Sequence, residues 1–182
     1  VHNTHVVSSL AAKGAVFVES ESDVPRGETI ILSAHGVSPE VHRVCAERGL
    51  RVIDATCPLV SKVHAEVRRY AKRGATVLLV GHVNHDEVIG TRGEAPDAVI
   101  VVESVADAET VEVPDPDNVA LTTQTTLSID DAAAIVDVLK RRFPALAGPK
   151  TSDICYATQN RQDAVRAVVQ EGADLVLVVG SR

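Results

Sequence analysis

Asp54-Ala55-Thr56-Cys57-Pro58 opens a stretch of this chain that closes on Gly74-Ala75-Thr76-Val77-Leu78-Leu79-Val80-Gly81. Asp153-Ile154-Cys155 opens a second, which closes on Gly172-Ala173-Asp174-Leu175-Val176-Leu177-Val178-Val179-Gly180. Both run from an acid to a cysteine, through a helical period to a glycine stop, and then into an apolar run. The spacing is 17 residues from Cys57 to Gly74 and 17 from Cys155 to Gly172, and the cysteines lie 98 apart. Self-similarity at a fixed period marks a repeated structural unit. The repeat extends upstream, where Val18-Glu19-Ser20 is echoed by Val102-Glu103-Ser104. Each leads through a strand to a polar turn, Ser33-Ala34-His35-Gly36 or Thr122-Thr123-Gln124-Thr125, and then to a capped helix. Residues 1–56 therefore read as the back part of a first lobe, 57–152 as a complete second lobe, and 153–182 as the front part of a third. The cysteine of the first lobe would precede Val1. The chain has no Met, and it stops just after an apolar run, so it is read as part of a longer protein.

Strands are expected over 15–18, 29–32, 51–53, 76–80, 98–102, 118–121 and 174–179. These are short, continuous apolar runs, the pattern of strands buried on both faces. Helices are expected between them. Ser38-Pro39 is an N-cap followed by proline, with Val41, Val44 and Cys45 on one face and Gly49 as the stop. Pro58 starts a helix with Leu59, Val63, Val67 and Tyr70 inward. Ser128 with Asp131 resembles a capping box ahead of Ile129, Ala132, Val136, Leu139 and Phe143. A last helix is expected over 158–171. The acidic stretch 106–116, with Pro114 and Pro116, reads as a surface loop. Alternating strands and helices imply an α/β fold with mainly parallel sheets, and the repeat implies a pseudo-threefold trefoil of similar lobes.

Composition narrows the function. At 182 residues, set against about 150 residues per domain, the length suggests one or two domains. It is 45% hydrophobic and 24% charged, with net charge −7, too apolar and too mixed in charge for disorder. The apolar runs at 77–80, 99–102 and 175–179 are too short for a membrane span. The acidic balance argues against nucleic acid, as does an aromatic content of 2%, because single-strand binding uses stacking platforms. Three cysteines and no signal-peptide pattern read as a reduced, cytoplasmic protein.

Cys57 and Cys155 recur at equivalent places, each before a helix. Orphan amides and the helix dipole there favour a thiolate. Threefold symmetry would bring three such thiolates to one centre, the ligand set of an iron–sulfur cluster with one iron open to substrate. The alternative is two small core residues at strand–helix junctions. Cys45, on an apolar helix face, is assigned to packing. His42 and His64 lie on helices as surface or packing residues. His2, His35, His82 and His85 lie in short polar turns at strand ends, where α/β sheets bind ligands. With the Ser, Thr and Gln residues nearby they suit a multiply charged anion such as a diphosphate. Glu87, shielded from water, would serve as a proton donor. A zinc site of His35, His82, His85 and a cysteine is a competing arrangement, although no paired-ligand spacing supports it.

The stretches Val1-His2-Asn3, Ser33-Ala34-His35-Gly36 and Asp54-Ala55-Thr56-Cys57-Pro58-Leu59-Val60, with Lys62-Val63-His64, carry a resemblance. So do Gly81 through Thr91, Thr123-Gln124-Thr125-Thr126-Leu127-Ser128, and Asp153 through Gln162. Along its whole length the chain resembles the LytB-type 4-hydroxy-3-methylbut-2-enyl diphosphate reductases, which end the non-mevalonate isoprenoid pathway. The resemblance implies that Cys57 and Cys155 are two of three thiolate ligands of a [4Fe–4S] cluster. It implies that His2, His35 and His85 line a diphosphate pocket, that Glu87 delivers a proton to the leaving hydroxyl, and that Thr125 lies beside that hydroxyl with Gln124 and Thr126 in the same turn. It further implies a three-lobed trefoil and a flavodoxin- or ferredoxin-like electron donor. The family's first cysteine, and the Ser/Asn segment expected after Gly180-Ser181, are not among these 182 residues, so the chain alone is expected to be inactive and to hold a cluster poorly. Two other readings remain at this point: a quinolinate synthase-like iron–sulfur dehydratase, and a non-enzymatic anion-binding module.

Overall fold

A computed structural model describes residues 3–149 and 151–177. It places five strands in two parallel sheets. β1 (Thr29–Leu32) pairs with β2 (Arg51–Asp54), and α2 (Pro39–Glu47) makes the crossover between them. The second sheet has the order β4 (Val99–Val102), β3 (Thr76–Val80), β5 (Val119–Thr123), all parallel. α3 (Pro58–Ala71) leads from the first sheet to the second. α4 (Asp86–Gly93) joins β3 to β4, and α5 (Val105–Thr110) joins β4 to β5. α1 (Thr4–Ala11), α6 (Ile129–Arg142) and α7 (Tyr156–Gln170) complete the helices among the described residues.

The unbroken apolar run of β3 follows from its central place. Val77 and Leu79 join Val67 and Tyr70 of α3 and Val88 of α4 in one core. Leu78 and Val80 turn to the other face, where they join Ala108 of α5 and Ala132, Ile135, Val138 and Leu139 of α6. Successive side chains alternate faces with period two, so a strand covered by helices on both sides needs no polar position. Of the helix residues expected inward, Val63, Val67, Tyr70, Ala132, Leu139 and Phe143 are buried, whereas Leu59, Ile129 and Val136 are half-buried. The glycine stops that marked the repeat adopt the left-handed backbone conformation, with φ of 74° at Gly74 and 88° at Gly172, which a Cβ would disfavour.

Several expectations are corrected. Residues 15–18 form no strand, and Val16 is 85% exposed; among the described residues no strand pairs with this apolar run. Residues 174–177 likewise form no strand, and 178–179 lie outside the described residues. The first sheet is not buried on both faces: every residue of β2 is exposed, because the described residues give this sheet two strands and no element over β2. Within the expected loop 106–116, residues 106–110 are helical, as part of α5. Ser104 accepts from the Asp107 amide at 3.1 Å while Asp107 accepts from the Ser104 amide at 2.9 Å, a complete capping box. Arg142 of α6 then caps the other end, donating to the carbonyls of Ala108 and Val111. Pro114 and Pro116 follow the helix and do not interrupt it. α1, with Asn3 as its N-cap, and α4 were not foreseen.

Candidate functional site

β3 leads to β4 on one side, while β5 lies on the other, so the chain diverges between β3 and β5. A ligand crevice belongs at the carboxyl edge of such a sheet, and the expected site residues lie there. Gly81 ends β3. A Cβ at that position would lie 2.7 Å from Val88 Cγ2 and 3.0 Å from Gln124 Cβ, so only glycine lets α4 close against the turn after β5. His85 is the N-cap of α4, its Nδ1 accepting from the Glu87 amide at 3.2 Å. The helix start thereby directs Glu87 inward, where it is 1% exposed.

Glu87 is bound to Thr125 through both oxygens. The Thr125 amide donates to Oε1 at 2.6 Å and its hydroxyl to Oε2 at 2.9 Å. Burial pushes the Glu87 carboxyl above the usual carboxylate range, the Thr125 hydrogen bonds oppose this, and the charge of Asp153 adds to it. Gln124 accepts from the His82 amide at 3.0 Å and donates to Thr126 Oγ1 at 2.9 Å, tying the turn after β3 to the turn after β5. His35 and His85 bring their rings to 5.3 Å between centroids, and His35 Nδ1 lies 3.6 Å from Asp86 Oδ2. Gly90 permits this approach, since a Cβ there would lie 3.1 Å from the Gly36 carbonyl oxygen. The structure thus unites His35, His85, Glu87, Gln124, Thr125 and Thr126. His2 lies outside the described residues. His82 turns away, with Nδ1 3.2 Å from Glu103. Among the described residues no three His, Cys, Asp or Glu side chains form a metal-holding group.

Cys57 is the N-cap of α3 and Cys155 the N-cap of α7, both half-buried and neither in a disulfide. The amides of Thr158 and Ala157 in the first turn of α7 hold the Cys155 thiol below its ordinary pKa. Cys45 is fully buried, and burial pushes its thiol up. Two cysteines thus stand at helix N-termini, where thiol donors could hold a metal group, and the third packs in the core.

Two groups went unrecognised as partners in the sequence. His64 is buried, with Nδ1 2.8 Å from Glu94 Oε1; burial lowers its pKa despite that carboxylate. The Asp153 side chain is fully buried and binds Lys62 of α3. The signal for Asp153 was the recurrence of an aspartate ahead of each cysteine. The copy before Cys57, Asp54, accepts from the amide and hydroxyl of Thr56 and so shapes the turn that presents Cys57.

Fold and site define a parallel α/β protein with buried acid–base groups at the sheet's carboxyl edge and two cysteines poised at helix starts. The family model described as LytB protein matches residues 1–182, and the chain belongs to that family. It is 56% identical to the 4-hydroxy-3-methylbut-2-enyl diphosphate reductase of Acidothermus cellulolyticus, over 100% of this chain and 53% of that protein. It is 57% identical to the enzyme of the same name from Mycolicibacterium paratuberculosis, over 100% of this chain and 54% of the relative. The solved structure of the E-1-hydroxy-2-methyl-but-2-enyl-4-diphosphate reductase from Plasmodium falciparum superposes with a TM-score of 0.94 at 45% identity, covering 100% of this chain and 57% of that one. The chain spans about half the length of the curated relatives it matches.

Proposed function

We propose that this chain forms part of an iron–sulfur oxidoreductase that reductively removes the hydroxyl of (E)-4-hydroxy-3-methylbut-2-enyl diphosphate. The products are isopentenyl and dimethylallyl diphosphate. The observation that carries the reading is Glu87: a buried carboxyl with a raised pKa, bound through both oxygens to Thr125 at the carboxyl edge of the sheet. The family membership supports it. Cys57 and Cys155 would hold a [4Fe–4S] cluster, with a third thiolate from outside these 182 residues. When bound, that cluster supplies two electrons, passed from a flavodoxin- or ferredoxin-like donor, and a Lewis-acidic iron for the substrate hydroxyl.

This chain's own residues supply anion binding and protons. His35 and His85, joined by His2, bind the diphosphate, with Gln124 and Thr126 fixing the turn beside it. Glu87 holds a proton on Oε2. In that state its hydrogen bond to Thr125 reverses, and the Thr125 hydroxyl can donate onward to the substrate oxygen. The C–O bond breaks, the oxygen leaves as water with one proton, and two electrons with a second proton remain on the allyl skeleton. The protein is three-lobed, with 1–56, 57–152 and 153–182 contributing to successive lobes, and works in the cytoplasm. The 182 residues alone are inactive.

The test is anaerobic turnover of the hydroxylated diphosphate by a chain of the relatives' length that carries these 182 residues. Glu87→Gln should lower kcat by about 10²–10⁴-fold while a non-reducible diphosphate analogue still binds. Wild-type turnover by Glu87→Gln would refute the role given to Glu87, and turnover by the 182 residues alone would refute their inactivity. The quinolinate synthase-like dehydratase loses ground, because the whole chain matches the LytB family.

A further inference from the structure

Asp153 is a buried acid that the chemistry above does not use. Its side chain is 0% exposed, and that of Lys62 is 30% exposed. Oδ1 accepts from Lys62 Nζ at 2.8 Å. Oδ2 accepts from the Thr122 hydroxyl at 3.0 Å and the Thr123 amide at 3.2 Å. Lys62 also donates to the Thr151 carbonyl at 3.2 Å. Two residues past Asp153, the Cys155 amide donates to the Thr125 carbonyl at 2.7 Å. The loop carrying Cys155 is therefore fastened along the end of β5, and Lys62 fastens it to α3, the helix whose N-cap is Cys57.

We propose that Lys62 and Asp153 are positioning residues, a charged clamp that sets the two cysteine-bearing helix starts relative to each other and to the Thr122–Thr125 turn. This rests on the assignment of Cys57 and Cys155 as cluster ligands. A buried carboxylate held by three donors tolerates little movement, because a shift that breaks these bonds leaves it unpaired in low dielectric. Groups that orient metal ligands act on affinity without touching the metal. Lys62 is the one cation bonded to Asp153 among the described residues, so its loss leaves the carboxylate held by neutral donors alone.

The experiment uses a chain of the relatives' length, loaded anaerobically, with iron release to a ferrous chelator timed well below the melting temperature. The electron paramagnetic resonance spectrum of the reduced cluster is the second readout. Lys62→Met should release iron about tenfold faster and alter the spectrum, and Lys62→Arg should restore most of the wild-type rate. Thr122→Val, which removes one donor to Asp153 and keeps the shape, should speed release about threefold. Leu139→Ala, in the core on the other face of the sheet, is the control for lowered stability and should leave the spectrum unchanged. If Lys62→Met matches wild type, or changes only as Leu139→Ala does, the clamp is refuted while the cluster assignment stands. If Lys62→Met does not fold, Thr122→Val decides: wild-type release and spectrum then refute the clamp. A wild-type chain that takes up no iron overturns both.

Discussion

Glu87 is a carboxyl taken out of water, and the charge of Asp153 adds to the cost of ionising it. Because its pKa is higher folded than unfolded, the folded state binds the proton more tightly. Stability conferred by the protonated form is present below the unfolded value of about 4.3 and is lost as pH rises toward the folded value. Urea unfolding of wild type and Glu87→Gln should therefore diverge in the variant's favour as pH rises above about 4.3; parallel curves would contradict the raised pKa. The cysteines give a second prediction at this scale. In the metal-free protein at neutral pH, Cys155 should be alkylated at least about tenfold faster than Cys45, because the thiolate is the reactive form and Cys45 is both buried and shifted up. Peptide mass mapping after timed iodoacetamide treatment reads this directly. The candidate site could be assembled from the sequence because its members sit in three short turns, Ser33 to Gly36, Gly81 to Glu87 and Thr122 to Thr126, which the fold brings together. The Lys62–Asp153 pair was not, because its partners lie 91 positions apart and only the fold shows that they meet.

At the level of elements, turns and caps decide how the sheet edge is built. Gly81→Ala should cost about 1–3 kcal/mol by overpacking, because the added methyl meets Val88, whose branched side chain is stiff on a helix. Unfolding in denaturant measures the loss, and a neutral substitution would mean that α4 does not close on β3 as described. Ser104→Ala should cost about 1 kcal/mol through the capping box of α5. The strands 76–80, at the centre of the sheet, and 99–102, at its edge, could be read from the sequence because helices cover the sheet and leave each a continuous apolar run. α5 was hidden because Pro114 and Pro116, which lie beyond its end, made the whole acidic stretch look like a loop. The run 15–18 misled in the opposite sense: its apolar residues resemble a strand, but pairing requires a neighbour that the described residues do not supply.

Across the whole molecule, the second sheet is closed by helices on both sides and the first is not. Ile31 is 68% exposed and Ile53 53%, so the described residues leave apolar side chains of the first sheet uncovered. The LytB family assignment rests on the entire chain, while the activity proposed for it depends on a cluster shared with residues beyond these 182. The most direct measurement is therefore anaerobic cluster reconstitution in a chain of the relatives' length, read by visible absorbance and by iron and sulfide analysis. The account predicts a brown protein with about four iron and four sulfide per chain, lost when Cys57 or Cys155 is replaced by Ser and kept when Cys45 is. A colourless, iron-free protein under conditions that load a known relative would contradict it.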